Sequence, residues 1–259
     1  GLNGVVLADP RGLQGGYELA AALKASGIRK HYTIQTRTDI VCKFPQLIEA
    51  WKECGRMTVF LGLESLDDAG LGSINKSNSA ANNDQAIEIL QDLGVGYTPN
   101  FIVDPRWERH DFDQLKRWMD RTGAYNSGFS VLTPLPGTDL WDEVRDEITT
   151  DDWELFDIAH AVLPTRLPLD EFYREVAGLW AHTVTVRHRV HGRWRTHLDL
   201  LAALALGKVT IGALRKGLRM GRVLSRADSF LRAHRESDAR MAEWRATLPA
   251  APAAEVATG

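Results

Sequence analysis

Five short β-rich runs alternate with five runs of helical spacing across residues 1–150, and no other feature constrains the chain as much. The strand candidates are Val5 to Ala8, Tyr32 to Thr36, Thr58 to Leu63, Tyr97 to Val103 and Gly128 to Leu132. The helical candidates that come after them are Tyr17 to Ala25, Pro45 to Cys54, Asn82 to Leu93, Phe112 to Arg121 and Asp139 to Glu147. Leu47, Ile48 and Trp51 share one face of the second helix, and Ala86, Ile87 and Leu90 share one face of the third. Gly27, Gly55, Gly94 and Gly123 each come just after a helical run, where a left-handed C-terminal cap favours glycine. Such a series builds either a doubly wound parallel sheet or a full or partial barrel.

The residues at the strand ends separate these alternatives. Barrels carry their chemistry on the loops after the C-terminal ends of strands. Here those positions read Asp9, then Thr36-Arg37-Thr38-Asp39, then Glu64-Ser65, then Asp104, then Thr133. No GxGxxG or GxxxxGK[ST] comes after the first strand, which weighs against a nucleotide-binding doubly wound sheet. The expected fold class is therefore α/β, a partial barrel over residues 1–150.

Composition sets the rest of the frame. With 44% hydrophobic and 25% charged residues in 259, the chain can build a true core. No apolar run approaches the roughly 20 residues that cross a bilayer, so a cytoplasmic protein is the expectation. The start at Gly1, almost directly on a strand, leads us to expect a piece of a longer protein. Cys42 and Cys54 have neither CxxC spacing nor partners for a disulfide framework, and no metal site is expected in this chain.

After residue 150 the pattern changes. An acidic aromatic stretch, TTDDWELFD, leads into HAVLPTRLP and a helix from Asp170 to Trp180, expected to close the barrel as residues 151–183. Residues 184–246 are expected to form a basic helical extension, and residues 247–259 a disordered tail. Between Arg187 and Arg235 twelve Lys or Arg face only Asp199 and Asp228, a local balance of +10 in a chain whose net charge is −3. Leu214, Leu218, Val223 and Leu224 interleave with Arg215, Lys216, Arg219 and Arg222. That pattern fits an amphipathic helix on an anionic membrane surface better than a nucleic-acid arm, with a plain solvated face as the third reading.

Taken in order, RTD, GLES, INKSNS, NFIVDP and LTPLPGT resemble the motif series after the cluster-binding loop of radical S-adenosylmethionine (SAM) enzymes, in particular the cobalamin-dependent branch. The runs FDIAHAVLPTRLPLDEFY and YTPNFIVDPRW are most similar to the hopanoid C-3 methylase group. The resemblance spans about residues 1–183. It implies a (βα)6 TIM-like barrel of which strands 2 to 6 are present. It also implies SAM, a [4Fe-4S] cluster and cobalamin as cofactors, an electron-donor protein as partner, and methylation of a hopanoid or other polycyclic isoprenoid lipid. The family's CxxxCxxC loop is absent, so the main ligands of cluster and cobalamin are expected outside this chain and the chain alone is expected to be inactive. Where the family has an acidic pair after the second strand, LADPRGLQGG keeps Asp9 but places Pro10 and Arg11 next.

The resemblance assigns Arg37, Glu64, Ser65, Asn100, Thr133 and Pro134 to SAM binding, and Asp104, His160 and Arg166 to the substrate side. Each has a plainer reading. Arg37 can clamp the SAM carboxylate or simply pair with Asp39. Glu64 with Ser65 can receive SAM's amino group and ribose or cap a turn. Asn100 can face the barrel mouth, Asp104 can make a turn before Pro105, and Thr133-Pro134 can be a rigid loop. Lys76, His160 and Arg166 can be ordinary surface or packing residues. A cluster-less binding or scaffold module is the alternative to an enzyme; an unrelated barrel lyase is weaker still, since no lysine ends a strand.

Overall fold

The computed structural model describes residues 10–64, 66, 80–207 and 209–247. The expected strand Val5 to Ala8 with Asp9, Ser65, Lys76 with its INKSNS run, and the tail after Thr247 lie outside the described residues. The described chain runs α1 (Pro10–Ala25), β1 (Lys30–Arg37), α2 (Thr38–Lys43), α3 (Pro45–Glu53), β2 (Gly55–Glu64), α4 (Ala80–Asp92), β3 (Gly96–Val103), α5 (Arg109–Thr122) and β4 (Gly128–Val131). It continues through α6 (Asp139–Val144), α7 (Leu169–His191), α8 (Arg193–Ala205), α9 (Ile211–Leu224) and α10 (Ala227–Thr247).

All pairings are parallel and the spatial order is β1-β2-β3-β4, the same as the chain order. Strands are added in one direction only, as in a barrel. A doubly wound sheet would reverse its order at a switch point.

Period-two alternation sorts each strand into two faces. Val59, Leu61 and Leu63 of β2, Phe101 and Val103 of β3, and Val131 of β4 are buried on one face. Helices cover them: Trp118 of α5 meets Phe101 edge-on at 5.3 Å, and Trp51 of α3 meets Tyr32 at 6.0 Å. The opposite face carries His31, Thr33, Gln35 and Arg37 of β1, Thr58 and Phe60 of β2, Thr98 and Asn100 of β3, and Ser130 of β4, all half-buried or exposed. The sheet thus has one apolar side and one mainly polar side.

Helix signals read from sequence explain most elements. Pro45 sits at the first turn of α3, where its missing N–H costs nothing. In α5 the Glu108 side chain accepts from the backbone of Asp111 while Asp111 accepts from that of Glu108, a reciprocal cap. Burying Phe112, Leu115, Trp118 and Met119 of that helix contributes about 1.5–3 kcal/mol per side chain.

Three expectations are corrected. The helix expected from Tyr17 to Ala25 already starts at Pro10, because proline at the start of a helix presets its φ. Thr38 and Asp39, read as loop, enter α2, where both are buried. The helix taken to end at Trp180 continues to His191, so the boundary drawn between residues 183 and 184 falls inside α7.

Gly55 opens β2 with φ +154°, and a Cβ there would lie 2.2 Å from the Lys30 carbonyl oxygen of β1. Backbone cannot swing aside as a side chain can. Gly55→Ala should therefore cost about 3 kcal/mol, read as a lower denaturation midpoint; a midpoint unchanged from wild type would show that the β1–β2 pairing has slack at this point.

Candidate functional site

The register aligns Arg37, the last residue of β1, Gly62, near the end of β2, Asn100, midway along β3, and Gly128, the first residue of β4, in one row across all four strands. Arg37 and Asn100 are two strand steps apart, roughly 9–10 Å, with glycine between them. A Cβ on Gly128 would sit 2.3 Å from Asn100 Oδ1, so the Asn100 amide occupies the space that Gly128 leaves. Its Nδ2 donates to the Thr98 carbonyl at 2.9 Å, which fixes the plane of the amide.

Arg37 Nε donates to Asp39 Oδ1 at 2.9 Å, and the Asp39 side chain is only 7% exposed. Lys43 Nζ lies 3.5 Å from the other Asp39 oxygen. A buried carboxylate thus holds the guanidinium by its Nε, while no hydrogen bond joins the terminal nitrogens to another described side chain. Structural pairing and ligand binding are compatible uses of Arg37, since each takes a different edge of one rigid fork.

Pairing between β2 and β3 slips at the strand ends. Gly62 faces Asn100 but Glu64 faces Phe101, leaving Leu63 as the extra residue of a bulge. Leu63 stays fully buried, and Asn83 of α4, itself buried, donates Nδ2 to the Leu63 carbonyl at 3.4 Å. Bulges re-aim the residues beyond them. Asn83 is a buried contact to the bulge that sequence reasoning missed, because its place one turn into α4 and its reach to Leu63 could not be known without the packing.

Thr133 Oγ1 donates to the Val131 carbonyl at 3.0 Å, and Pro134 is buried behind it. Leu132 N still reaches the Val103 carbonyl at 2.9 Å, so Thr133-Pro134 leaves the sheet beside β3. Asp104 closes a turn. It accepts from Arg106 N at 2.8 Å and from the Arg106 guanidinium at 3.1 Å through both oxygens. Arg166 donates its backbone N–H to Pro105 at 2.9 Å and its Nε to Glu108 at 3.2 Å, so Asp104 and Arg166 belong to one loop cluster.

His160 lies elsewhere. Val131 N donates to the Ile158 carbonyl at 2.7 Å, and Ile158 is the one described non-glycine residue with positive φ, at 59°. A β-branched residue there stores about 1–3 kcal/mol of strain. The turn brings Asp157 under the Ala159 and His160 amides and against His160 Nδ1, at 2.9 to 3.0 Å. Burial pushes Asp157 up, but these hydrogen bonds prevail and hold its carboxyl below the usual range. His160 Nε2 is buried without a partner, and its ring packs against Phe230 and His234 of α10, each 5.7 Å away. Tyr173 of α7, fully buried, accepts from Ala161 N at 2.8 Å and lies 2.5 Å from His234 Nε2; burial raises its pKa.

No family model matches the chain. It is 39% identical over 192 residues to the hopanoid C-3 methylase of Methylococcus capsulatus, a match that covers 74% of this chain and 36% of that protein. The family resemblance holds. A second relative, the bacteriochlorophyllide d C-8(2)-methyltransferase of Chlorobaculum tepidum, is 30% identical over 124 residues, 46% of this chain and 28% of its own length. The chain thus spans about a third of the length of these relatives. Among solved structures, the cobalamin-dependent S-adenosylmethionine radical enzyme OxsB with aqua-cobalamin and SAM bound aligns with TM-score 0.39 at 18% identity, over 54% of this chain and 20% of that one, too loose to carry an argument.

Burial, and then the nearby His160, hold His234 below its ordinary pKa, so the unfolded chain binds more protons than the folded one once pH falls through about 6.5. Stability contributed by neutral His234 is present above that pH and lost below it. The midpoint of thermal unfolding should fall between pH 7 and 5, and His234→Gln should flatten that slope; an equal slope in wild type and variant would place the titration at another group.

Proposed function

We propose that the chain is the SAM-binding side, built as a partial barrel, of a cobalamin-dependent radical SAM C-methyltransferase acting on a hopanoid or another polycyclic isoprenoid lipid. The 39% identity to hopanoid C-3 methylase carries this reading. In such enzymes SAM supplies a hydrogen-abstracting radical and cobalamin the methyl group, with an electron from a donor protein.

The residues of the open face suit SAM. The free edge of Arg37 matches a carboxylate, with Asp39 holding the fork in place. The Asn100 amide, seated between glycines, can meet the amino acid or ribose portion. Glu64 and Ser65 would receive cationic and hydroxyl groups, and the Thr133-Pro134 backbone would border the adenine. Asp104 and Arg166 would act from the substrate side through their shared loop, and His160 through the segment it anchors.

The cysteines do not suit a cluster. Cys54 is buried and donates to the Ala20 and Ala50 carbonyls at 3.2 and 3.4 Å. Cys42 donates to Asn82, and burial followed by the Asp39 charge raises its pKa, so it stays a thiol. The proposed cluster and cobalamin ligands belong to other parts of the whole enzyme.

In the complete protein, reconstituted anaerobically, Arg37→Ala should weaken SAM binding about ten-fold or more, and Arg37→Lys should recover only part of it. Gly128→Ala should weaken it too by displacing Asn100. Equilibrium dialysis with labelled SAM reads all three; affinities equal to wild type would overturn the site.

The basic extension fits peripheral contact with an anionic membrane surface. Leu198, Leu201, Leu206 and Ile211 are 62–67% exposed, among cations that include Arg215, Lys216 and Arg219. Among the described residues no helix is long and apolar enough to cross a membrane. The chain should co-sediment with phosphatidylglycerol vesicles at low salt and be released by salt; recovery in the supernatant at low salt would remove the idea.

A further inference from the structure

Helices α7, α8 and α9 line a half-open cavity of about 640 Å³, within the size range of small-molecule and cofactor sites. Trp180, Leu200 and Leu218 give it an apolar wall from three different helices, and Arg187 and Arg222 line it from α7 and α9. Among the described residues no acidic side chain lines it. Neither arginine is ion-paired with a described carboxylate, whereas Arg189, two residues along α7, is bound to Asp120 at 2.6 Å. Arg187 rests its guanidinium 5.9 Å from the Tyr125 ring centre, a contact that leaves its nitrogens free to donate. An apolar hollow with two uncompensated cations complements an anionic amphiphile.

Two glycines of α9 sharpen the point. Gly217 and Gly221, one turn apart, both line the cavity, and a Cβ at either would meet nothing within 4 Å. Glycine inside a helix is less favourable than alanine, and here neither packing nor a left-handed backbone requires it. Their effect is to keep the volume empty.

We infer that this cavity binds one anionic phospholipid drawn from the membrane surface, with its phosphate between Arg187 and Arg222 and an acyl chain in the hollow. The inference rests on the membrane contact proposed above and goes further: surface attachment needs only charge and exposed apolar side chains, whereas this site takes one lipid per chain. Leu198 and Leu201, exposed on α8, flank the cavity-lining Leu200 in sequence and offer apolar contact to a bilayer surface.

The full chain should bind dioctanoyl phosphatidylglycerol, supplied as monomer below its micelle concentration, saturably at one per chain by titration calorimetry and native mass spectrometry. Dioctanoyl phosphatidylcholine should bind at least ten-fold more weakly. The pair Gly217→Leu and Gly221→Leu should abolish monomer binding by filling the hollow, without lowering the unfolding temperature and with vesicle co-sedimentation retained. Arg187→Ala with Arg222→Ala should weaken phosphatidylglycerol at least ten-fold and erase the preference over phosphatidylcholine. Absence of saturable binding, or a plugged variant that binds as wild type does, would overturn the site. Loss of vesicle binding with monomer binding intact would instead defeat the membrane reading alone.

Discussion

Parallel pairing between β1, β2, β3 and β4 in chain order is the constraint on which the rest depends, because register decides which side chains become neighbours. One row holds an arginine, a glycine, an asparagine and a second glycine. The glycines make the row usable. Side chains at those two places would fill the gap between Arg37 and Asn100 or drive Asn100 from its position. The bulge at Leu63 then re-aims the end of β2, and a buried asparagine on α4 holds the carbonyl at the bulge. Pairing, spacing and re-aiming are therefore one problem, solved along this row and at the bulge that ends β2.

The far edge of the sheet is handled by different means. β4 offers an N–H to Ile158, whose backbone sits in a conformation that β-branched residues avoid. Asp157, His160, Tyr173 and His234 surround that turn and tie α7 and α10 to it. Asp152, buried on the same segment, is bound by Arg240 of α10 at 2.5 Å. Burial pushes this carboxyl up, but the nearby Ser237 hydroxyl and hydrogen bonds from Glu154 N and Arg240 outweigh it and hold it below the usual range. The basic extension is accordingly part of the body at its end, through α10, while α8 and α9 keep Leu198, Leu201, Ile211, Leu218 and Val223 exposed.

Much of the fold was legible in the residues. The strands Tyr32 to Thr36, Thr58 to Leu63, Tyr97 to Val103 and Gly128 to Leu132 all form, because β-branched and aromatic runs bounded by glycine have few other uses. The site was legible as a set of strand ends and no further. Arg37 beside Asp39 was readable from adjacency, and so was the turn at Asp104. Asn83 under Leu63, the seating of Asn100 over Gly128 and the burial of His160 against α10 were not, since each joins residues distant in sequence whose contact depends on packing. Helix ends were also misjudged: α2 and the long α7 override weak local signals because tertiary burial of Ile40 and Val41, and of Val186, rewards the helix.

The sequence by itself determined the βα alternation, the winding that polar strand ends imply, the family resemblance and the charge asymmetry between body and extension. All of these arise from local periodicity and composition, which need no partner elsewhere in the chain. Only the tertiary structure decided which polar residues share a row, where the bulge falls, which cations remain unpaired, and that α7, α8 and α9 leave a hollow lined by Arg187 and Arg222. Those outcomes depend on register and helix packing, where a shift of one residue turns a side chain to the opposite face.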